Sequence, residues 1–187
     1  MSVVATVPKL LTVEEYLRLP DPGKPTELVR GRVEEMTPPT PYHCFVCGRV
    51  FKFVERFVEE GDLGWVMPND SGVLTERNPD TLRGADVCFY SYTRIPREAM
   101  PLEGYVGTVP ELVFEVMSPS DRWTQVLEKV TEYLRAGITV VCVVNPRART
   151  VTAYRDNQDP EPFAADAELT IPDVLPGFRV PIRRMFE

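Results

Sequence analysis

The segment 111–137, ELVFEVMSPSDRWTQVLEKVTEYLRAG, decides how the rest of the chain is arranged. It begins with an apolar run rich in β-branched and aromatic residues, which predicts a buried strand carrying one acid, Glu115. Pro119 ends that strand, because proline cannot donate to a sheet ladder and restricts Ser118 to extended geometry. The apolar residues then recur at helical spacing until Gly137, which predicts an amphipathic helix.

The predicted helix carries both an apolar stripe and a lysine. Its apolar positions are Trp123, Val126, Leu127, Val130, Tyr133 and Leu134. We expect Ser120 or Asp121 to cap its N-terminus, since short polar side chains bond the free amides there. Lys129 lies beside the stripe, so a helix that packs back over its own strand brings Lys129 towards Glu115.

Two elements are predicted near the N-terminus. The polar residue and the acids within 12–16 indicate a short helix that ends before Pro20. Residues 27–36 are typical of two short strands joined by a turn near Gly31. We expect residues 1–8 to be a frayed start.

A helix and further strands precede the opening stretch. Helical spacing over residues 42–60 places His43 in the first turn of a helix. Residues 64–74 fit one bent strand or two short strands. Residues 83–90 predict a strand with Asp86 near its start.

The remaining segments complete a mixed sheet flanked by helices. The connection 93–109 is long and irregular, and we expect it to contribute substrate contacts. Strands are predicted at 138–144, 150–154 and 168–171, and a loop at 172–177. The sequence therefore predicts one domain over residues 1–187, an α/β or α+β fold with an N-terminal hairpin extension.

Composition limits the classes of protein and partner. The chain has 187 residues, 43% hydrophobic and 26% charged, which suits a globular domain. No apolar run approaches the roughly 20 residues that a membrane span needs, and a signal-peptide pattern is absent, so we expect a cytoplasmic protein. The net charge of −7 argues against coating nucleic acid by bulk electrostatics. It leaves open an enzyme whose acids hold metal ions.

The basic residues are mostly arginine. Lysine occurs only at Lys9, Lys24, Lys52 and Lys129. Together with 19 prolines, this bias fits a stiffened, heat-adapted chain, and it equally fits a biased genome composition.

The cysteines leave two interpretations. Cys44 and Cys47 follow His43 at a spacing found in zinc sites. Cys88 and Cys142 stand alone, however, so no second closely spaced ligand pair completes such a site. We therefore expect reduced, buried thiols, which are usual in a chain without a secretory signal.

Two strand-borne acids and one helical lysine form the candidate site. Asp86 and Glu115 lie on predicted strands, where carboxylates offer the hard oxygen ligands that Mg²⁺ prefers. Such an ion lowers the pKa of a bound water and neutralises charge on a phosphate, and the ammonium of Lys129 aids either task. The alternative is that all three are ordinary solvated charges, as most acids and lysines are.

Several motifs resemble one protein family. The strings EVMSPSDR, EKVTEYLRAG and NPR are similar to the Uma-type family, as are TVEEYLRLP, ELVRGRVEEM, the helix led by His43, and GADVCFY. The resemblance covers nearly the whole chain. It implies a restriction-endonuclease-like fold of the PD-(D/E)XK superfamily, whose core of helix, three strands, helix and strand falls over residues 42–154.

The resemblance also implies an activity. Similarity to that superfamily implies a metal-dependent endonuclease, which would hydrolyse phosphodiester bonds in DNA with Mg²⁺ or Mn²⁺. Asp86 and Glu115 match the two motif acids and are the implied metal ligands, although Ala85 stands where proline is usual. Met117 occupies the usual position of the catalytic lysine. The family is expected to supply that lysine from the following helix, where Lys129 matches.

Three further residues receive roles from the resemblance. Glu27 matches the glutamate of the family's ELV motif and is expected to complete the catalytic site. Gln125, one turn before Lys129, is the alternative polar group. His43 is expected to assist, and its other interpretation is a structural histidine in the first turn of a helix.

Two expectations concern function and partners as a whole. Met117 and the acidic net charge favour an alternative function, a non-catalytic module that keeps the nuclease fold and binds nucleic acid or protein. By analogy with nucleases of this type, we expect a homodimer or higher homo-oligomer with nucleic acid as its partner and no membrane.

Overall fold

The structure, a computed structural model, describes residues 9–187, so the frayed start predicted for residues 1–8 lies outside the described residues. The helices and strands have these bounds: α1 Val13–Tyr16, β1 Thr26–Val29, β2 Arg32–Glu35, α2 Pro41–Gly61, β3 Gly64–Glu76, β4 Thr81–Ser91, β5 Leu112–Val116, α3 Trp123–Arg135, β6 Val140–Asn145, β7 Thr150–Tyr154, β8 Glu161–Phe163, β9 Glu168–Ile171 and β10 Leu175–Pro181. Short 3₁₀ turns lie at Arg97–Ala99 and Ile182–Met185.

Eight strands form one mixed sheet in the order β2-β1-β4-β5-β6-β7-β8, with β3 paired to β4. The predicted core order is present as α2, β3, β4, β5, α3 and β6. Strands β5 and β6 are parallel, because α3 carries the chain back across the sheet between them. The α/β fold with its N-terminal hairpin, β1 and β2, is therefore confirmed.

Helices α2 and α3 cover opposite faces of the sheet. Helix α2 buries Val46, Val50, Val54 and Val58 against one face. Helix α3 buries Val126, Val130 and Tyr133 against the other. Successive side chains of a strand point to opposite faces, so Phe114 of β5 packs with α2 whereas Val113 packs with α3. The same alternation turns Glu115 towards α3.

The predicted cap of α3 is wrong. Its N-cap is Arg122, which makes no side-chain capping bond, rather than Ser120 or Asp121. The carboxylate of Asp121 instead accepts from the backbone N of Ser118 at 2.7 Å. This bond closes the turn that follows β5, so the acid stabilises the turn and the helix begins after it.

The buried face of α3 differs from the predicted apolar stripe. Trp123 and Leu127 are 46% and 42% exposed, whereas Glu132 is only 8% exposed. The helix turns this polar side inward because charged side chains on β1 and β4 contact Lys129 and Glu132. Ion pairing therefore sets the rotation of the helix together with apolar burial.

Strands β3 and β4 are longer than predicted. β3 is the single bent strand, and Asn69 and Asp70 bulge out of its ladder with left-handed φ angles of 65° and 56°. β4 begins at Thr81, because Leu82 pairs with both β1 and β3. Asp86 consequently lies in the middle of β4 rather than near its start.

The C-terminal region contains more strand than predicted. The strand at Glu168–Ile171 is present, but the loop expected over 172–177 is partly wrong because β10 begins at Leu175. Strand β8 was not predicted, since it is short and contains Pro162. Within residues 9–187, no helix combines the length and apolar character that a membrane crossing needs.

Candidate active site

Strands β4 and β5 separate at Asp86 and Glu115, and this point of separation, here called the fork, forms the centre of the site. The ladder between these strands pairs Val87–Phe89 with Leu112–Phe114 and stops there. Beyond it, Oδ2 of Asp86 accepts from the backbone N of Val116 at 2.6 Å, so a side chain replaces the next ladder bond. This bond places the Asp86 carboxylate beside the strand residues that carry Glu115.

Glu115 lies in a buried, polar environment on the α3 side of the fork. Its Oε1 accepts from the hydroxyl of Tyr133 at 2.7 Å, and its Oε2 lies 3.4 Å from Nζ of Lys129. Burial raises the pKa of Glu115 to about 7; Lys129 opposes this shift, and the charge of Asp86 adds to it. Lys129 therefore compensates only part of the negative charge of Glu115 and Asp86.

Lys129 links two carboxylates. Its Nζ lies 3.0 Å from Oε1 of Glu27 and 3.4 Å from Oε2 of Glu115. Burial disfavours its charge, but these two acids outweigh burial and hold the pKa of Lys129 above its ordinary value. The side chain is therefore an ammonium at neutral pH, held against Glu115.

Glu27 is anchored by β4 as well as by Lys129. Its carboxylate accepts from Nη1 of Arg83 at 2.9 Å and from the backbone N of Gly84 at 3.0 Å. Burial alone would raise the pKa of Glu27, but Lys129 and Arg83 overcome it and lower that pKa. Both oxygens of Glu27 are thus engaged with protein donors.

Arg83 and Glu132 complete the charged network and were missed in the sequence. Nε and Nη2 of Arg83 donate to the two carboxylate oxygens of Glu132 at 2.7 and 2.9 Å. Bidentate pairs of this kind are strong and directional. The spacing of Glu132 three residues after Lys129 was the available signal, but most helical acids at such positions are solvated.

His43 approaches the fork from α2, on the other face of the sheet. Its Nε2 lies 3.4 Å from Oδ2 of Asp86, and Sγ of Cys47 lies 3.5 Å from its Nδ1. Burial lowers the pKa of His43, but Asp86 outweighs burial and leaves that pKa raised. The ring therefore binds Asp86 on the side opposite to Lys129.

The cysteines only partly match their prediction. All four are free thiols, and Cys88 and Cys142 are buried as expected. Cys44 is exposed, so the expectation of burial is wrong there, and Cys47 is half-buried.

Three other residues border the site. Asp70, in the β3 bulge, was missed, although its Asn-Asp-Ser-Gly setting is a bulge signal within a strand. Partial enclosure and the charge of Asp86 raise the pKa of Asp70. Gln125 lies on the cleft wall but is exposed. Met117, at the usual lysine position, packs with the α3 apolar core.

The site opens into a large cleft. Its volume is about 1410 Å³, and the hairpin, the fork and the start of α3 line it. Tyr105, from the connection 93–109, also lines the cleft. This irregular connection therefore reaches the site, where substrate contacts were expected.

The mixed sheet, with α2 and α3 on its opposite faces, has a restriction-endonuclease-like α/β fold. The chain belongs to the Uma2 family, described as "Putative restriction endonuclease", whose model matches residues 13–183. This confirms the family resemblance.

A solved structure from Anabaena variabilis has the same fold. It is described as "a putative nuclease belonging to DUF820", and it aligns with a TM-score of 0.79 and 21% identity over 94% of this chain and 97% of that one. A comparison with curated proteins finds no match.

The charged network predicts that replacing Arg83 strongly destabilises the folded protein. Arg83→Met should lower the free energy of unfolding by about 3–5 kcal/mol, because it leaves Glu27 and Glu132 buried without their shared partner. Urea denaturation at neutral pH measures this loss. Arg56→Ala is the control, since it breaks an exposed pair with Glu60, and it should leave stability unchanged. Equal stability of the two variants would contradict a structural role for the network.

Proposed function

We propose that the protein is a metal-dependent nuclease that hydrolyses phosphodiester bonds in DNA. The observation that carries this proposal is that Lys129 of α3 contacts Glu115 of β5, while Asp86 of β4 bonds to the backbone of the next residue, Val116. Asp86, Glu115 and Lys129 come from three different elements and all line the open cleft. Family membership supports the same class of activity.

The donors at the fork fit a hard divalent cation. Asp86 and Glu115 would hold Mg²⁺ or Mn²⁺, because both offer carboxylate oxygens; burial, and after it the charge of Asp86, raises the pKa of Glu115, and a cation would relieve both effects. When bound, the metal supplies a water of lowered pKa and neutralises charge on the phosphate. The bond from Val116 orients the Asp86 carboxylate before any metal arrives.

Lys129 supplies the positive charge that Met117 lacks. Its ammonium lies beside Glu115, where it stabilises negative charge that develops on the attacking water or on the phosphate. Glu27 is a positioning residue, since its carboxylate holds Lys129 while Arg83 holds Glu27. His43 positions Asp86 from the opposite face.

The non-catalytic alternative loses its main support. It rested on the acidic net charge and on Met117, which carries no charge at the usual lysine position. The ammonium of Lys129, 3.4 Å from Glu115, supports the proposal that α3 supplies the lysine instead of position 117. We therefore favour the enzyme over a binding module.

The catalytic proposal predicts which variants lose activity. Purified protein should cleave plasmid or oligonucleotide DNA with Mg²⁺ or Mn²⁺. Asp86→Asn, Glu115→Gln and Lys129→Met should each reduce the rate by about a hundredfold or more, since each removes one charge from the site. Glu59→Gln, which removes an exposed acid of α2 outside the cleft, should retain the wild-type rate. Undiminished cleavage by Asp86→Asn and Glu115→Gln would refute the proposal.

Metal binding should depend on pH through Glu115. Because the pKa of Glu115 is about 7, a metal must displace its proton in acid. Mn²⁺ affinity should therefore fall about tenfold per unit as pH decreases below that value. Calorimetric titration of the wild type and Glu115→Gln measures this dependence. An identical pH dependence in both would exclude Glu115 as the titrating ligand.

A basic surface on α2 and the C-terminal segment supports a nucleic-acid partner. It consists of Arg49, Lys52, Arg56, Arg179 and Arg184 around a groove of about 310 Å³. The guanidinium carbons of Arg49 and Arg184 lie 5.0 and 5.3 Å from the ring centroid of Phe53. Within residues 9–187, no acid pairs with Arg49, Lys52 or Arg184, although the chain carries a net charge of −7.

The positive charge of this basic surface complements the negative phosphates of DNA. Lys52→Ala and Arg184→Ala should each lower the salt slope of DNA binding by about one, because each removes one phosphate contact. Fluorescence anisotropy in EDTA measures binding without cleavage. Arg135→Ala on α3 removes the same charge from the opposite layer and should not change the slope. Equal slopes in all three variants would contradict this surface.

We extend the proposal to self-association. Trp123 and Leu127 are exposed one turn apart on α3, beside the cleft, and a second copy of the chain would cover them. Sedimentation at working concentration tests this, and a monomer would refute it.

A further inference from the structure

Three side chains of different chemistry meet on the α2 side of the fork. One donor atom from each of His43, Cys47 and Asp86 lies within 4.8 Å of the other two. Nε2 of His43 is 3.4 Å from Oδ2 of Asp86 and 3.9 Å from Sγ of Cys47. These residues come from one turn of α2 and from the middle of β4, so two rigid elements hold them.

The distances between these donor atoms suit an ion with tetrahedral coordination. Zinc bonds to nitrogen, oxygen and sulfur set neighbouring ligand atoms about 3.3–3.6 Å apart. The His43–Asp86 distance of 3.4 Å already lies in this range, and the His43–Cys47 distance of 3.9 Å exceeds it slightly. Small side-chain rotations therefore bring all three donors onto one ion.

We propose that His43, Cys47 and Asp86 form a Zn²⁺ site, with water as the fourth ligand. Imidazole and thiolate are poor ligands for Mg²⁺ and good ligands for zinc, so this donor set discriminates between the two ions. Zinc with one thiolate, one carboxylate and a neutral imidazole is also uncharged overall. A neutral assembly suits a half-buried position.

Zinc would bind Cys47 as a thiolate. A coordinating zinc ion deprotonates a thiol outright, so binding releases the Cys47 proton to solvent.

The zinc site shares Asp86 with the proposed magnesium site. Zinc bound by His43, Cys47 and Asp86 withdraws the Asp86 carboxylate from Glu115. Zinc is therefore an antagonist of Mg²⁺ or Mn²⁺ at the fork. This consequence rests on the proposed function, whereas the zinc site itself does not.

Cobalt spectroscopy tests the zinc site directly. Co²⁺ substitutes for zinc, and a thiolate ligand produces a charge-transfer band in the near ultraviolet. The wild type should show this band, and Zn²⁺ should abolish it by displacement. Cys47→Ser and His43→Ala should lose the band or weaken cobalt binding at least about tenfold. Cys44→Ser, which removes the exposed neighbouring thiol, should retain the band.

The outcomes separate the two proposals. Absence of the band in the wild type, or its persistence in Cys47→Ser with folding verified by circular dichroism, would overturn the zinc site. Bound Mn²⁺, followed by electron paramagnetic resonance, should be released by one equivalent of Zn²⁺ in the wild type and retained in Cys47→Ser. Release from both would overturn the antagonism. If Mn²⁺ fails to bind the wild type while the cobalt band is present, the proposed nuclease site fails and the zinc site stands.

Discussion

The ammonium of Lys129, held between Glu27 and Glu115, is the interaction on which the site depends. It joins the N-terminal hairpin, the central strand and α3 through one buried charge. Burial alone would raise the pKa of both carboxylates, and Lys129 opposes this effect at each of them, together with Arg83 at Glu27. Arg83 extends the same network to Glu132, so the rotation of α3 and the position of its lysine are set together.

The second constraint is the separation of β4 from β5 at Asp86. Its carboxylate accepts from Val116 where a ladder bond would otherwise form. A polar side chain thereby holds two strand ends apart and stays close to Glu115. The same carboxylate meets His43 on the α2 side, so α2 and α3 contribute to one centre from opposite faces of the sheet.

The order of the helices and strands, and the proximity of Lys129 to Glu115, could be predicted from the sequence. Apolar periodicity located β5 and α3, and the side of α3 that carries Lys129 followed from helical geometry. Arg83 and Glu132 could not be predicted, because their burial depends on mutual pairing across β4 and α3 rather than on local pattern. The exposure of Trp123 has the same origin, since ion pairs and not hydrophobicity alone rotate the helix.

Crystallography with manganese tests most directly whether Asp86 and Glu115 form one metal site. Anomalous scattering from a crystal soaked in MnCl₂ should give a peak about 2–2.4 Å from a carboxylate oxygen of each residue. Nζ of Lys129 should remain beside Glu115 in that structure. Manganese bound only at other acids, with the fork empty at saturating concentration, would contradict the account.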